Sequence, residues 1–143
     1  AGSVAQAEAF WRIRESISEA ERASGPAVQH DIAVAVEAMP DFMVEAARTV
    51  EQAFPGVRAS GFGHLGDGNV HFHVRAPAGS DRDCWLAEAA GPISRFVYDL
   101  VHQAGGTISA EHGIGQMKLD QFARLADPAR LAALRALKAA FDP

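Results

Sequence analysis

A chain of 143 residues fits one domain with a core of useful size. Its 48% hydrophobic and 22% charged residues describe an ordinary globular chain, and a formal net charge of -5 excludes the cationic surface that non-specific nucleic-acid binding requires. No apolar run is long enough to cross a bilayer, the first ten residues lack the basic and apolar regions of a signal peptide, and a single cysteine, Cys84, excludes an internal disulfide.

In chain order, "AEAFWRIRESISEAERA" sets Phe10, Ile13, Ile17 and Ala20 at helical spacing, with "SG" at its end. The short, partly alternating "AVQHDIAVAV" predicts a strand. Pro40 opens a second helix with Met43, Ala47, Val50 and Phe54 in one stripe, and "FPG" stops it. Strands are expected over 57–65 and 69–76, joined through "GDG". A helical region follows over 83–103, with Ile93, Val97, Leu100 and Val101 inward and Gly91-Pro92 as the point where it could break; Gly105 and Gly106 end it. "TISAEHGIGQMK" reads as a short strand or extended piece entering a glycine-rich turn. In the helical tail, Asp127 is an N-cap before Pro128, and Leu131, Leu134 and Leu137 recur at every third residue. Helices interleaved with strands that pair as a hairpin predict an α+β fold: an antiparallel sheet with helices packed on it, a ferredoxin-like half plus C-terminal helices.

The stretch "GFGHLGDGNVHFHV", residues 61–74, places His64 and His71 on either side of a glycine-rich turn. With Asp67 and Gly68 as the central residues of a tight turn, Gly66 opposes Asn69, Leu65 opposes Val70 and His64 opposes His71. Opposed residues share a face with Cβ atoms about 5 Å apart, close enough for two imidazoles to share one ion. The period of two puts His73 on that face as well. A slip of one residue would break this arrangement. Incidental histidines on a hairpin are the plain alternative, and a site needs a third ligand.

"GGTISAEHGIG", residues 105–115, offers one. Glu111 and His112 are neighbours, so in an extended segment they point different ways: one can join a metal while the other faces a substrate. A solvated Glu-His pair in a turn is the competing reading. Taken together, the clusters make a His-His-Glu set with a spare histidine, the composition of a catalytic metal site with open positions. Arg14 lies four residues before Ser18 on one helical face, where it could clamp a carboxylate or pair with a nearby glutamate.

"GHLGDGNVH" followed by "GGTISAEHGIGQMK" resembles the C-terminal domain of the FAD-linked oxidases of the vanillyl-alcohol-oxidase superfamily, in particular its D-lactate dehydrogenase, glycolate oxidase and D-2-hydroxyglutarate dehydrogenase branches. "WRIRESISEA", "HDIAV" and "ALKAAFDP" extend the resemblance over nearly the whole chain, residues 1–143, as a single domain. The resemblance implies that His64, His71 and Glu111 hold a divalent metal such as zinc and that His112 is the base. It further implies that Arg14 binds the substrate carboxylate, with Ser18 in support. Two positions depart from the family's pattern: Gln29 stands where a lysine precedes "HD", and His73 where asparagine often follows the second metal histidine. Both are substrate-contacting positions, so they bear on which hydroxy acid is used. The FAD of this family sits mainly on an N-terminal domain, and "NPGK" does not follow the last helix here. The chain is therefore expected to be an excised substrate domain of a larger flavoenzyme.

On that basis the expected reaction is oxidation of a small-molecule D-2-hydroxy acid to the 2-oxo acid, with electrons passed through FAD to an acceptor. The expected partner is the N-terminal FAD-binding domain, and the isolated chain is expected to be inactive. The lone cysteine fits a cytoplasmic protein, peripheral to a membrane only through its acceptor. Two other functions fit the residues alone: a metal-binding module without redox chemistry, and a His-His-Glu hydrolase, although no "HExxH" is present.

Overall fold

The computed structural model describes residues 2–142. Its elements are α1 (Val4–Ala23), β1 (Ala27–Ala33), a 3-10 turn (Val36–Ala38), α2 (Met39–Ala53), β2 (Arg58–His64), β3 (Asn69–Arg75), α3 (Arg82–Gln103), α4 (Leu119–Leu125) and α5 (Pro128–Phe141). The strands form one antiparallel sheet in the order β1-β3-β2. β1 and β2 therefore run parallel, connected through α2, with β3 inserted between them, the split arrangement of a ferredoxin-like half. The expected α+β class is the one adopted.

Alternate residues of each strand go to opposite faces. Val28, His30 and Ile32 of β1 and Val70, Phe72 and Val74 of β3 share one face, and all are buried. The stripe read for α2 and the one read for α3 cover it, with Ala46 and Val50 from α2 and Ile93, Val97 and Val101 from α3 closing the core. Each large side chain buried there contributes about 1.5–3 kcal/mol. His30 fits among them because both ring nitrogens are bonded: Nδ1 donates to the Phe72 carbonyl (3.1 Å) and Nε2 accepts from the Ser94 hydroxyl (3.2 Å). Burial lowers its pKa from 6.5 to about 4, against the opposing pull of the Phe72 bond.

The other face carries Gln29 and Asp31 of β1, His71 and His73 of β3, and Ser60, Phe62 and His64 of β2. α1 lies against it through the polar contacts of Arg14 and Glu21, with Ile17 half-buried. Its Ser3 N-cap accepts from the Gln6 amide, yet none of its residues is buried. Phe10 and Ile13 of its expected apolar stripe are 62% and 63% exposed.

Other expectations change in detail. α3 runs unbroken through Pro92. Gly91 and Pro92 sit on its exposed side, so water can reach the carbonyl that proline leaves without its helical donor. The piece from Thr107 is strand-like only at a single bridge, Thr107 to Ala33, and then bends through residues 109–112. α4 lies between that turn and α5. Asp127 caps α5 as expected, accepting from the Ala129 and Arg130 amides, but its leucine stripe stays open, with Leu134 and Leu137 42% and 54% exposed. Among the described residues, no helix is long and apolar enough to cross a membrane.

Candidate metal centre

The hairpin has a different register from the tight-turn expectation. His64 pairs with Asn69, Phe62 with His71 and Ser60 with His73, leaving Leu65–Gly68 as the connection. The longer loop is fixed from inside and outside. The Asp67 amide donates to the His64 carbonyl (3.3 Å) and the Asp67 carboxylate accepts from the Asn69 amide (3.1 Å). Gly68, at φ 73°, presses on the segment after β1, where its carbonyl accepts from the Val34 amide (3.1 Å) and an added Cβ would lie 2.0 Å from the Val34 oxygen. The slip is by two residues, so the histidines keep a common face. His64 and His71 become diagonal neighbours, their ring centroids 5.9 Å apart.

The turn after Thr107 brings Glu111 to the same place. His64, His71 and Glu111 each offer a ligand atom, and these atoms lie within 4.8 Å of one another. In a tetrahedral zinc site with bonds of about 2.1 Å, ligand atoms sit about 3.4 Å apart, a closure that side-chain rotation supplies. Two imidazoles and a carboxylate are a donor set that suits a borderline divalent cation.

Asp31 organises the Glu111 side of this cluster. It faces His71 across the β1-β3 pair and is 4% exposed. Its Oδ2 accepts from the backbone amides of Glu111 (3.0 Å) and His112 (2.9 Å) and lies 3.7 Å from His112 Nδ1. Burial alone would raise its pKa, but the amide bonds from His112 and Glu111, with the charges of His112 and Lys118, hold it below the usual carboxylate value. Lys118 secures the same turn, donating to the carbonyls of Ile108 (2.9 Å) and Asp31 (3.4 Å).

Glu111 and His112 do not diverge as an extended segment would require. Residues 109–112 bend, and Glu111 and His112 both offer an atom within 4.8 Å of one on Asp31. Arg14 reaches the cluster from α1, with Nη2 3.4 Å from His64 Nε2, placed to donate to it, and its guanidinium 5.9 Å from the Trp11 ring centre. Ser18 stays exposed on α1. Gln29, His71, His73 and His112 line a half-open cavity of about 760 Å³ along the β1 edge. Within it, His73 turns Nδ1 toward Glu21 of α1 (3.3 Å), and burial lowers its pKa despite that carboxylate.

Asp31, Lys118, Glu21 and Asn69 were not among the residues singled out from sequence. Asn69, opposite His64, is 2% exposed and both amide atoms of its side chain lack a partner. A usable signal existed for Asp31: a carboxylate in the middle of the strand "QHDIA" is too expensive to bury without donors waiting for it.

Two strand histidines, a glutamate from a glycine-rich turn and an arginine from the first helix thus converge on one cluster. The family model of FAD linked oxidases, C-terminal domain, matches residues 1–143, and the chain belongs to that family. It is similar to a D-2-hydroxyglutarate dehydrogenase of Stutzerimonas stutzeri, 36% identical over 138 residues, covering 96% of this chain and 29% of that protein. The mitochondrial D-2-hydroxyglutarate dehydrogenases of Arabidopsis thaliana and Rattus norvegicus are 32% and 33% identical, covering 100% and 94% of this chain and 24% of each relative. The chain thus spans 24–29% of the length of these relatives.

Proposed function

We propose that this chain is the substrate-binding part of an FAD-dependent oxidoreductase that converts a D-2-hydroxy acid to the 2-oxo acid. The observation that carries this reading is the convergence of His64, His71 and Glu111 within 4.8 Å, with Arg14 against the cluster and His112 beside it. Family membership and relatives named as D-2-hydroxyglutarate dehydrogenases support it.

In this reading, His64, His71 and Glu111 would hold a divalent cation such as zinc, which would supply Lewis acidity in the site. A flavin held by an N-terminal domain would supply the hydride acceptor, and a further acceptor would take the electrons. Arg14 takes the substrate carboxylate through paired N–H donors and fixes the distance from C2 to the flavin. His112 removes the hydroxyl proton at Nε2, the ring nitrogen away from Asp31, as hydride leaves C2 and the carbon–oxygen double bond forms. Gln29 and His73 line the neighbouring cavity and discriminate among substrate tails.

The test separates the two neighbours in the full-length protein. Glu111→Gln keeps shape and weakens a charged ligand, so bound metal should fall and added Zn²⁺ should partly restore turnover. His112→Asn should keep its metal and lose turnover by roughly 10²–10⁴, without rescue by metal. If His112→Asn loses metal as severely as Glu111→Gln, His112 is a ligand and the base lies elsewhere.

A further inference from the structure

We infer that Asp31 is a positioning residue: from the middle of the edge strand β1 it fixes the turn that presents Glu111 and His112, and so joins the two halves of the site. The inference rests on the roles proposed above for those residues. Two of the ligands come from the hairpin and one from residues 109–112, a segment of bends with Gly113 and Gly115 at φ 75° and 51° directly after it. Nothing periodic holds such a segment in place. Lys118 and the Ser109 hydroxyl, which donates to the Gly113 carbonyl (2.8 Å) and lies 3.5 Å from Asp31 Oδ2, brace its ends, but the amides of Glu111 and His112 themselves are held by one carboxylate oxygen that accepts from both, at 3.0 and 2.9 Å.

The position of that carboxylate matters as much as its bonds. Asp31 lies directly opposite His71, so the strand pair that orients one ligand also orients the acceptor that places the other. Its backbone contributes as well: the Asp31 carbonyl accepts from the Ala110 amide (3.4 Å) and from Lys118 Nζ (3.4 Å). Meanwhile Oδ1 is buried without a partner. Burying a carboxylate with one oxygen unsatisfied is a poor way to stabilise a surface turn whose amides water could serve. It is a good way to hold two adjacent side chains in a fixed relation to a histidine. The same oxygen, 3.7 Å from His112 Nδ1, favours the ring orientation and tautomer with N–H toward Asp31 and the free lone pair on Nε2.

Asp31→Ala and Asp31→Asn in the full-length protein containing this chain test the inference. Amide hydrogen exchange read by mass spectrometry should rise on the order of 10- to 100-fold in peptides spanning 108–114 of Asp31→Ala, while peptides of β3 and α3 stay protected. Affinity for Zn²⁺ alone should weaken by roughly 10- to 100-fold, the usual effect of losing an outer-shell partner. The kcat should fall while KM, set by Arg14, changes little. Asp31→Asn keeps an acceptor oxygen and should recover the exchange protection and most of the Zn²⁺ affinity; it also carries the test if Asp31→Ala does not fold. Unchanged exchange across 108–114, or a rise spread equally over the sheet, overturns the inference. If the unsubstituted protein takes no Zn²⁺ through His64, His71 and Glu111, the metal reading fails on its own, because the exchange pattern does not depend on the ion.

Discussion

The two faces of the sheet are made from the same strands and use them for opposite ends. One face is an apolar layer sealed by α2 and α3, with Ile32, Val70, Phe72 and Val74 at 0% exposure. The other carries the histidines and Asp31, and is crossed by a helix with no buried residue. A period of two lets a single strand serve both: β3 reads Asn-Val-His-Phe-His-Val-Arg, with histidines to one side and the core to the other. Substitutions one residue apart should therefore fail in different ways, and that difference can be broken or sharpened by experiment.

The largest effect on stability is expected at Phe72, between His71 and His73. Phe72→Ala should destabilise by about 3–5 kcal/mol, the range for emptying a large aromatic from a packed core. His71→Ala, one step away on the half-buried face, should leave the unfolding free energy within about 0.5 kcal/mol of the original while weakening Zn²⁺ binding. Paired denaturation and metal titrations decide it. Equal losses of stability in the two variants would mean that the faces are not separable.

His30 is the point where titration enters the sealed face. Its folded pKa, about 4, lies below the ordinary 6.5, so the folded state favours the neutral ring. The stability it contributes is fully present above pH 6.5 and is lost as pH falls toward 4, on the order of 3 kcal/mol across that window. His30→Gln should flatten the fall of the urea midpoint between those pH values, leaving the steeper acid loss below them. A slope that persists unchanged in the variant would assign the acid sensitivity to the open face, where burial also lowers the pKa of His73 from 6.5.

The same division explains what could be read from the sequence. Apolar periodicity located α2 and α3, because their stripes are buried against the sheet. The same periodicity over α1 and α5 found helices but not their packing, since an apolar stripe does not say what covers it. The hairpin's existence was legible from "GDG", whereas its register depended on Gly68 meeting Val34, a contact between segments far apart in the chain. The histidines were still assigned to one face because an even slip preserves parity. Glu111 and His112 were visible as residue types in a glycine-rich turn. Asp31, which holds that turn, could be suspected as a mid-strand carboxylate, but what it holds was hidden because its partners are backbone amides, and amides carry no sequence signature.

The smallest effect on global stability is expected where α1 is fastened. Glu21 Oε2 accepts from Arg75 (2.5 Å), from His73 (3.3 Å) and from the Ser60 hydroxyl (3.3 Å), and no buried side chain of α1 backs up these bonds. Glu21→Gln removes the charge that gathers them and should cost about 1 kcal/mol or less in the global transition, because the core on the other face is untouched. Locally the consequence should be larger. Freed from Glu21, the helix keeps the 3.4 Å Arg14–His64 contact and the half-buried Ile17 but no fully buried side chain, so it should fray and swing, taking Arg14 away from the cluster. Trp11 lies on α1 beside Arg14, and Trp85→Phe leaves it as the sole tryptophan of the chain, so its fluorescence anisotropy reports α1 directly. In that background Glu21→Gln should lower the anisotropy of Trp11 and speed amide exchange over residues 4–23, with the urea midpoint nearly unchanged. Should the midpoint fall instead while Trp11 stays as ordered as before, α1 is part of the folded core and the division between the two faces does not hold.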